Sequence, residues 1–430
     1  MLATLLSVAA LLSGVGILLM GNGLLSTLLS LRTAIEGYSP ELTGLVMSAY
    51  FAGLVAGSLY CSKVVHRIGH IRAFAAFASI LSVTALIHGF VVTAPVWALL
   101  RALSGFCVAG VFMVSESWLN TRATNQNRGQ VLSFYMITAY LSIGLGQFLL
   151  NLSDPERIEL FAVVSILFSL ALVPVALTQA AAPRIERPSG LGLRRLYALT
   201  PLGVVGCLAS GMLTGALYGM GPIFASGIGL SVSGVSAFMG LVVLGGLFMS
   251  WPVGWLSDRF DRRTVMAAVS LATVLIALAI PAAAGRPEPL LLVLAGLYGG
   301  LSFPLYSLSV AHANDYVEPQ DLVQASSGLL VAYGVGASLG PIAAAAVMGA
   351  LGPHGLFVYS AVISAAFGLI VLYRMRRREP LPLAEQGRHV VLPRTTPEAA
   401  YLDPRGAPEQ SDFDFAIEAA EPPDEAGGGA

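Results

Sequence analysis

Charge is what this chain most lacks. Only 11% of its 430 residues are Asp, Glu, Lys or Arg, whereas a soluble domain carries about 25%. With 56% hydrophobic residues and a mean hydropathy of +0.77, water is not its main solvent. Cysteine is scarce too: Cys61, Cys107 and Cys207 lie far apart in apolar segments. Without CxxC or Cys/His spacing they read as buried spectators, and no metal is expected. A phosphate-binding loop is missing as well. "GNG" at 21–23 stands isolated inside a helical run with no Gly-Lys-Ser/Thr behind it, which argues against ATP-driven pumping by this chain alone. No Ser/His/Asp or metal constellation is visible, so no enzyme activity and no cofactor are expected. The net charge of −1 gives no reason to propose nucleic acid as a partner. No basic segment precedes the first apolar stretch, which is too long for a signal peptide's core and reads as a retained first span.

What is present is a series of apolar runs, each long enough to cross about 30 Å of hydrocarbon. Six fall near 2–30, 41–61, 72–93, 95–119, 130–150 and 158–178, and six more near 198–224, 232–254, 264–284, 289–311, 322–350 and 355–373. Glycine is abundant in them, as expected where helices pack closely in lipid. Loops after even-numbered spans, with the tail junction, carry Lys63, Arg67, Arg72, Arg122, Arg128, Arg184, Arg187, Arg194, Arg195, Arg259, Arg262, Arg263 and Arg374. The opposite loops hold only Arg32, Arg157 and Arg286. By the positive-inside rule both termini are cytoplasmic in a multi-pass plasma (inner) membrane protein. The loop after span 10 has Asp315, Glu318 and Asp321 and no base, but acidic residues weigh little in that rule.

The two sets echo each other. At an offset of 194, Gly105 meets Gly299, Asn120 meets Asn314, Gln130 meets Gln324, Ser133 meets Ser327 and Gly146 meets Gly340. Near the loops after spans 2 and 8 the offset is 192, placing His66-Arg67 opposite Asp258-Arg259. The expected architecture is an all-α membrane protein of 12 transmembrane helices in two pseudo-symmetric six-helix bundles, 1–180 and 198–375. A cytoplasmic linker at 181–197 joins them, and a disordered acidic tail follows at 376–430. Parallel six-helix repeats with a site between them are a transporter plan. The tail is rich in proline and acids (Asp412, Asp414, Glu418, Glu421, Asp424, Glu425), the composition of a solvated segment.

"GWLSDRFDRR", Gly254 to Arg263, is similar to the signature loop of the major facilitator superfamily, with Asp261 where that signature has its second glycine. The first-half copy "SKVVHRIGHIR" keeps Arg67 and Gly69 but has His66 where the aspartate is expected. "GASLGP", Gly336 to Pro341 with Gly340, is similar to the family's GxxxGP element, and Arg101 with Gly105 to its RxxxG pattern. Together with "VSES", "YMITAY" and "LGQ", these motifs resemble a bacterial branch of that superfamily over residues 1–375, a branch that brings no substrate with it. The resemblance implies a cytoplasmic gate latch at Asp258, Arg259, Arg262 and Arg263, closed in the outward-open state. Asp258 can accept from Arg259, from Arg262 or from the start of the following helix. His66 makes the matching latch, with Arg67 and Gly69, weaker or pH-sensitive. The resemblance also implies that spans 1, 4, 7 and 10 line the cavity. Asn22, Tyr218 and Tyr298 are therefore the better substrate-cavity candidates, with Arg101, Tyr140 and Tyr306 beside them, each weighed against a helix-packing role. Other polar side chains within spans include Tyr135, Gln147 and Tyr333.

Glu116 is the one acid well inside a span, where a carboxylate costs about 2.5–3.5 kcal/mol on insertion scales. It lies on one helical face with Arg101, Gly105, Ala109, Phe112 and Asn120. At 1.5 Å per residue Arg101 is roughly 22 Å away along the axis, so the two charges cannot pair. Two readings stand for Glu116. It is either a protonatable coupling site, or a structural clamp for Arg67, Arg72, Arg122 or Arg128, and nearness to the helix end tips the balance to the clamp. Arg101 is either an anionic-substrate contact or a side chain snorkelling at the outer end, the latter preferred. These features converge on a secondary transporter of a small molecule by alternating access, with proton-coupled efflux as its direction and coupling. The scarcity of charge within the spans favours a neutral or amphipathic solute. The lipid bilayer and a small molecule are its expected partners, protons a candidate third, and the expected state is a monomer. A membrane receptor or scaffold signalling through the tail is the alternative from another class, and an integral membrane enzyme a third.

Overall fold

The computed structural model describes residues 2–124, 126–177, 192–318 and 321–403. Among these there is no strand, and 12 helical spans are long and apolar enough to cross a membrane. The first half comprises α1 (Leu2–Ile35), α2 (Pro40–Ile68), α3 (His70–Phe90), α4 (Ala94–Arg122), α5 (Arg128–Phe148), α6 (Glu159–Leu170) and α7 (Leu172–Ala176). Short α8 (Leu193–Leu199) leads into the second: α9 (Pro201–Gly227), α10 (Val232–Ser257), α11 (Arg262–Ala283), α12 (Glu288–Ser302), α13 (Pro304–Asn314), α14 (Leu322–Leu351) and α15 (Gly355–Arg377). Helices are the answer lipid imposes, because every backbone N–H and C=O must find its partner within the segment. Leu99, Phe248, Trp251, Val293 and Leu369 are largely exposed on the outside, where hydrocarbon replaces water.

Lipid gives helices no hydrophobic reason to associate, so small residues at close crossings do that work. Here the internal echo acquires a cause. A Cβ on Gly105 would lie 1.9 Å from the Tyr50 carbonyl oxygen, fixing the α4–α2 crossing. A Cβ on Gly299 would lie 1.9 Å from that of Val242, fixing α12 on α10. Likewise Gly146 abuts Met20 O between α5 and α1, and Gly340 abuts Met212 O between α14 and α9. The repeated glycines are therefore the same two contacts built twice.

The halves meet mainly at the end opposite the arginine-rich loops. Ser30 Oγ donates to Gly219 O (2.7 Å), Asn151 Nδ2 to Ser236 Oγ (2.8 Å), and Gly44 of α2 sits against Pro341 and Ala345 of α14. The GxxxGP element thus serves packing on both sides: Gly336, Gly340 and the Pro341 ring face α9, while the Pro341 carbonyl meets Gly44 of the first half. At the basic end the C-terminal segment lies between the halves, against α4, α5 and α14.

Span 10 is not one helix. α12 stops at Ser302 and α13 starts at Pro304, whose ring cannot donate to the preceding turn. The C-terminal segment also differs in part from the expectation of a solvated tail. Residues 379–403 form two 3-10 turns, Leu383–Glu385 and Pro397–Leu402, and run back between the halves, burying Leu392, Thr396, Glu398, Ala399, Ala400 and Leu402. A cleft walled by both halves supplies the burial that the segment's composition alone cannot. The acidic residues at 412–425, and positions 181–191 of the expected linker, lie outside the described residues.

Candidate functional site

Between the halves lies a cavity of about 160 Å³, lined from the first half by Asn22, Tyr50, Phe112, Tyr135, Met136 and Tyr140. The second half contributes Thr214, Tyr218, Phe303 and Tyr333, and the tail closes the basic side with Pro393, Arg394 and Thr395. Three of the six cavity candidates are here: Asn22, whose Nδ2 donates to the Tyr50 hydroxyl at 3.3 Å, with Tyr140 and Tyr218. Tyr306 sits just outside the lining, edge-on to Tyr333 with ring centroids 5.1 Å apart.

Two candidates are elsewhere. Tyr298 is buried on α12 toward α15, its hydroxyl donating to Ser360 Oγ at 3.0 Å and its ring edge-on to Phe357. It sits one turn before the break in span 10, on the side that packs outward. Arg101 does not snorkel. It is 1% exposed, its guanidinium 4.3 Å from the Tyr50 ring centre, with Nε and Nη1 lacking a hydrogen-bond partner among the described residues. The close α2–α4 crossing at Gly105 holds it against that ring, away from the helix end.

Glu116 answers to neither half's arginines. Its carboxylate accepts from the Tyr135 hydroxyl (2.8 Å) and from the hydroxyls of Thr395 and Thr396 in the tail. The clamp reading is corrected for a geometric reason. Six residues turn a helix by about 600°, so Arg122 leaves α4 on another side than Glu116. Arg67, Arg72 and Arg122 are exposed, and Arg128 instead donates to Tyr401 O at 3.2 Å. Since Tyr135 and Thr395 both line the cavity, the carboxylate is one hydrogen bond from it.

The second-half loop is organised differently from the expected latch. Asp258 accepts from the backbone N–H of His389 at 2.6 Å rather than from Arg259, which stacks on Trp255. Asp261 is the residue that caps α11 and pairs with Arg263 at 2.9 Å. Arg262 forms a buried ion pair with Asp315 (3.0 Å) and also donates to Gly387 O. In the first half, His66 and Arg67 are exposed, and Gly69 makes the turn between α2 and α3 at φ +84°, a conformation that favours glycine.

The tail reaches the centre of the cavity through Arg394. Its guanidinium donates to Thr214 Oγ1 (2.9 Å), the Tyr140 hydroxyl (3.0 Å) and the Phe303 carbonyl (3.0 Å), over the faces of Phe303, Tyr306 and Tyr333. Sequence reasoning missed Thr214, Phe303, Arg394, Thr395 and Thr396. One signal was readable: "SFPLY" interrupts an apolar run in a central span, a pointer to binding sites in transporters.

A family model described as Major Facilitator Superfamily matches residues 11–304 and, again, 203–408. The chain is 31% identical over 379 residues to a protein named Uncharacterized MFS-type transporter YcaD in Escherichia coli O17:K52:H18, and to its namesake in Shigella flexneri, spanning 88% of this chain and 98% of each relative. Among solved structures, the nucleoside transporter NupG superposes with a TM-score of 0.73 at 16% identity, over 86% of this chain and 98% of that one. A bacterial homolog of the human lysosomal transporter Spinster, inward-facing and occupied, gives 0.71 at 15%, over 89% and 98%. Likeness at such identity concerns the fold alone.

Proposed function

The chain belongs to the major facilitator superfamily of secondary transporters, and on that premise we propose that it expels a small amphipathic solute by alternating access, coupled to protons through Glu116. The chain is a carrier rather than an enzyme, working as a monomer in the inner membrane with its arginine-rich end and both termini in the cytoplasm. The observation that carries this is the cavity: it lies between two pseudo-symmetric halves that pack directly at one end and hold the C-terminal segment between them at the other. Rocking of one half on the other exchanges the closed end, with Pro341 and Gly44 parting as the basic loops meet. Glu116, one hydrogen bond from the solute space, is placed to load a proton from one side and release it to the other. The described state is the cytosol-open one, in which the latch around Asp258 is open and its aspartate is engaged with the tail.

The test is flux in proteoliposomes with a panel of radiolabelled amphipathic solutes. Saturable transport is expected, accelerated by an imposed pH gradient and uncoupled from it by Glu116→Gln. Flux that ignores both the gradient and the substitution sinks the coupling; saturable flux of none of the solutes counts against the carrier reading.

A further inference from the structure

The cavity contains a ligand that the chain itself supplies, and the chemistry of its seat specifies what else fits there. Every partner of the Arg394 guanidinium is a neutral oxygen or a ring face: Thr214, Tyr140, the Phe303 carbonyl and the rings of Phe303, Tyr306 and Tyr333. Aromatic faces and hydroxyl oxygens attract an organic cation without a fixed anion beside it. The Phe303 carbonyl adds a lone-pair acceptor at the junction of α12 and α13, where Phe303 caps the end of one helix and the start of the next. Outside this seat, the tail is held by further hydrogen bonds: backbone Gly387 N–H to Asp315 (3.1 Å), backbone His389 N–H to Asp258 (2.6 Å), and the Thr395 and Thr396 hydroxyls to Glu116. The space left beside Arg394, about 160 Å³, is below the roughly 300–1,000 Å³ of ordinary ligand pockets. Cargo of any size needs the volume the tail now fills.

We propose that this seat is a subsite for a monovalent organic cation carrying an apolar body, and that Arg394 occupies it in the cytosol-open state as a tethered competitor. The proposal rests on the carrier reading and narrows its amphipathic solute to a cation. A short tether holds its ligand at an effective concentration in the mM range, so a seat affinity of about 0.1 mM for the tail weakens cargo binding about tenfold. The tail then sets a threshold: the carrier engages only when the cytoplasmic cation outcompetes it.

The experiment uses the full chain in lipid nanodiscs, with phenylguanidinium as the probe and phenylurea as its uncharged analogue. Arg394→Gln is expected to bind phenylguanidinium about tenfold tighter than the unaltered chain, while Arg394→Lys, which keeps the charge, stays near it. Phenylurea should bind weakly to all three. Adding Thr214→Val to Arg394→Gln should remove most of the gain. A second readout is the rate at which a water-soluble thiol reagent reaches Met136→Cys on the cavity wall, expected to rise with Arg394→Gln and fall again when phenylguanidinium is added. Equal affinity and equal labelling with and without Arg394 would overturn the competitor. Phenylurea gaining as much as the cation would overturn the cation subsite. Neither readout requires flux, so transport without probe binding sinks this inference alone, and probe binding without transport sinks the carrier reading alone.

Discussion

The two arginine-bearing loops, after α2 and after α10, occupy equivalent places in the repeat and have opposite fates. In the second half, Asp258 holds the tail, Arg262 is buried with Asp315, and Asp261 caps the next helix. In the first half, the equivalent of Asp258 is His66, exposed beside Arg67. A backbone N–H needs an acceptor, and a carboxylate is a strong one; the imidazole gives the tail no comparable hold. The carboxylate of Asp258, with the buried Arg262–Asp315 pair that also holds Gly387, docks the tail on the second half, from which it crosses to Glu116 in the first. The helix crossings, by contrast, are the same in both halves, so the repeat is conserved in its packing and broken in its polar chemistry.

The largest effects should come where the halves agree. Gly105→Leu and Gly299→Leu each drive a side chain into a carbonyl that a bare Cβ would already meet at 1.9 Å. Each should exceed the 1–3 kcal/mol typical of overpacking and abolish monodisperse protein on size-exclusion chromatography. Folded protein from one but not the other would break the symmetry of the packing. Next comes the buried pair, where the halves differ. Asp315→Ala leaves Arg262, 1% exposed, without its carboxylate, and removing one partner of a buried pair costs about 3–5 kcal/mol. The melting temperature should fall well below that of Arg67→Ala, an exposed change within about 0.5 kcal/mol. Asp258→Ala comes third. It removes one acceptor from an exposed site, worth about 1 kcal/mol net, and should speed proteolysis within 379–403 while leaving the melting temperature near that of the unaltered chain.

Much of the fold was legible because lipid allows few alternatives: each apolar run had to be a helix, and the offset glycines announced the repeat. Pro304 marked a helix break inside an apolar run that reads as one span, and polarity led to Asn22 and Tyr218 only together with the resemblance that puts their spans on the cavity, with Tyr140 a candidate beside them. Two things were not legible. Glu116 lies near several arginines in sequence, and only the packing of α5 and the tail against α4 decides which neighbours it meets. Residues 379–403 carry the composition of a solvated segment, and order there comes from a cleft whose walls are separated from it by most of the chain. Arg394 is 180 residues from Thr214 and 254 from Tyr140; no local pattern encodes that meeting.

The smallest effect bears on the comparison most directly. If the loops differ because His66 lacks a fixed anion, His66→Asp should restore the first-half latch, which closes when the basic ends of the halves come together. Exposed ion pairs contribute about 0.2–1 kcal/mol, so the population of the cytosol-open state should fall by no more than about fivefold. The melting temperature is too blunt for this, since both conformers are folded. The labelling rate at Met136→Cys reports the open population itself and should drop with His66→Asp while staying level with His66→Ala. A rate that rises with the aspartate would mean that a second anion at the basic end repels the facing loop, and the asymmetry of the two loops would then have no part in a latch.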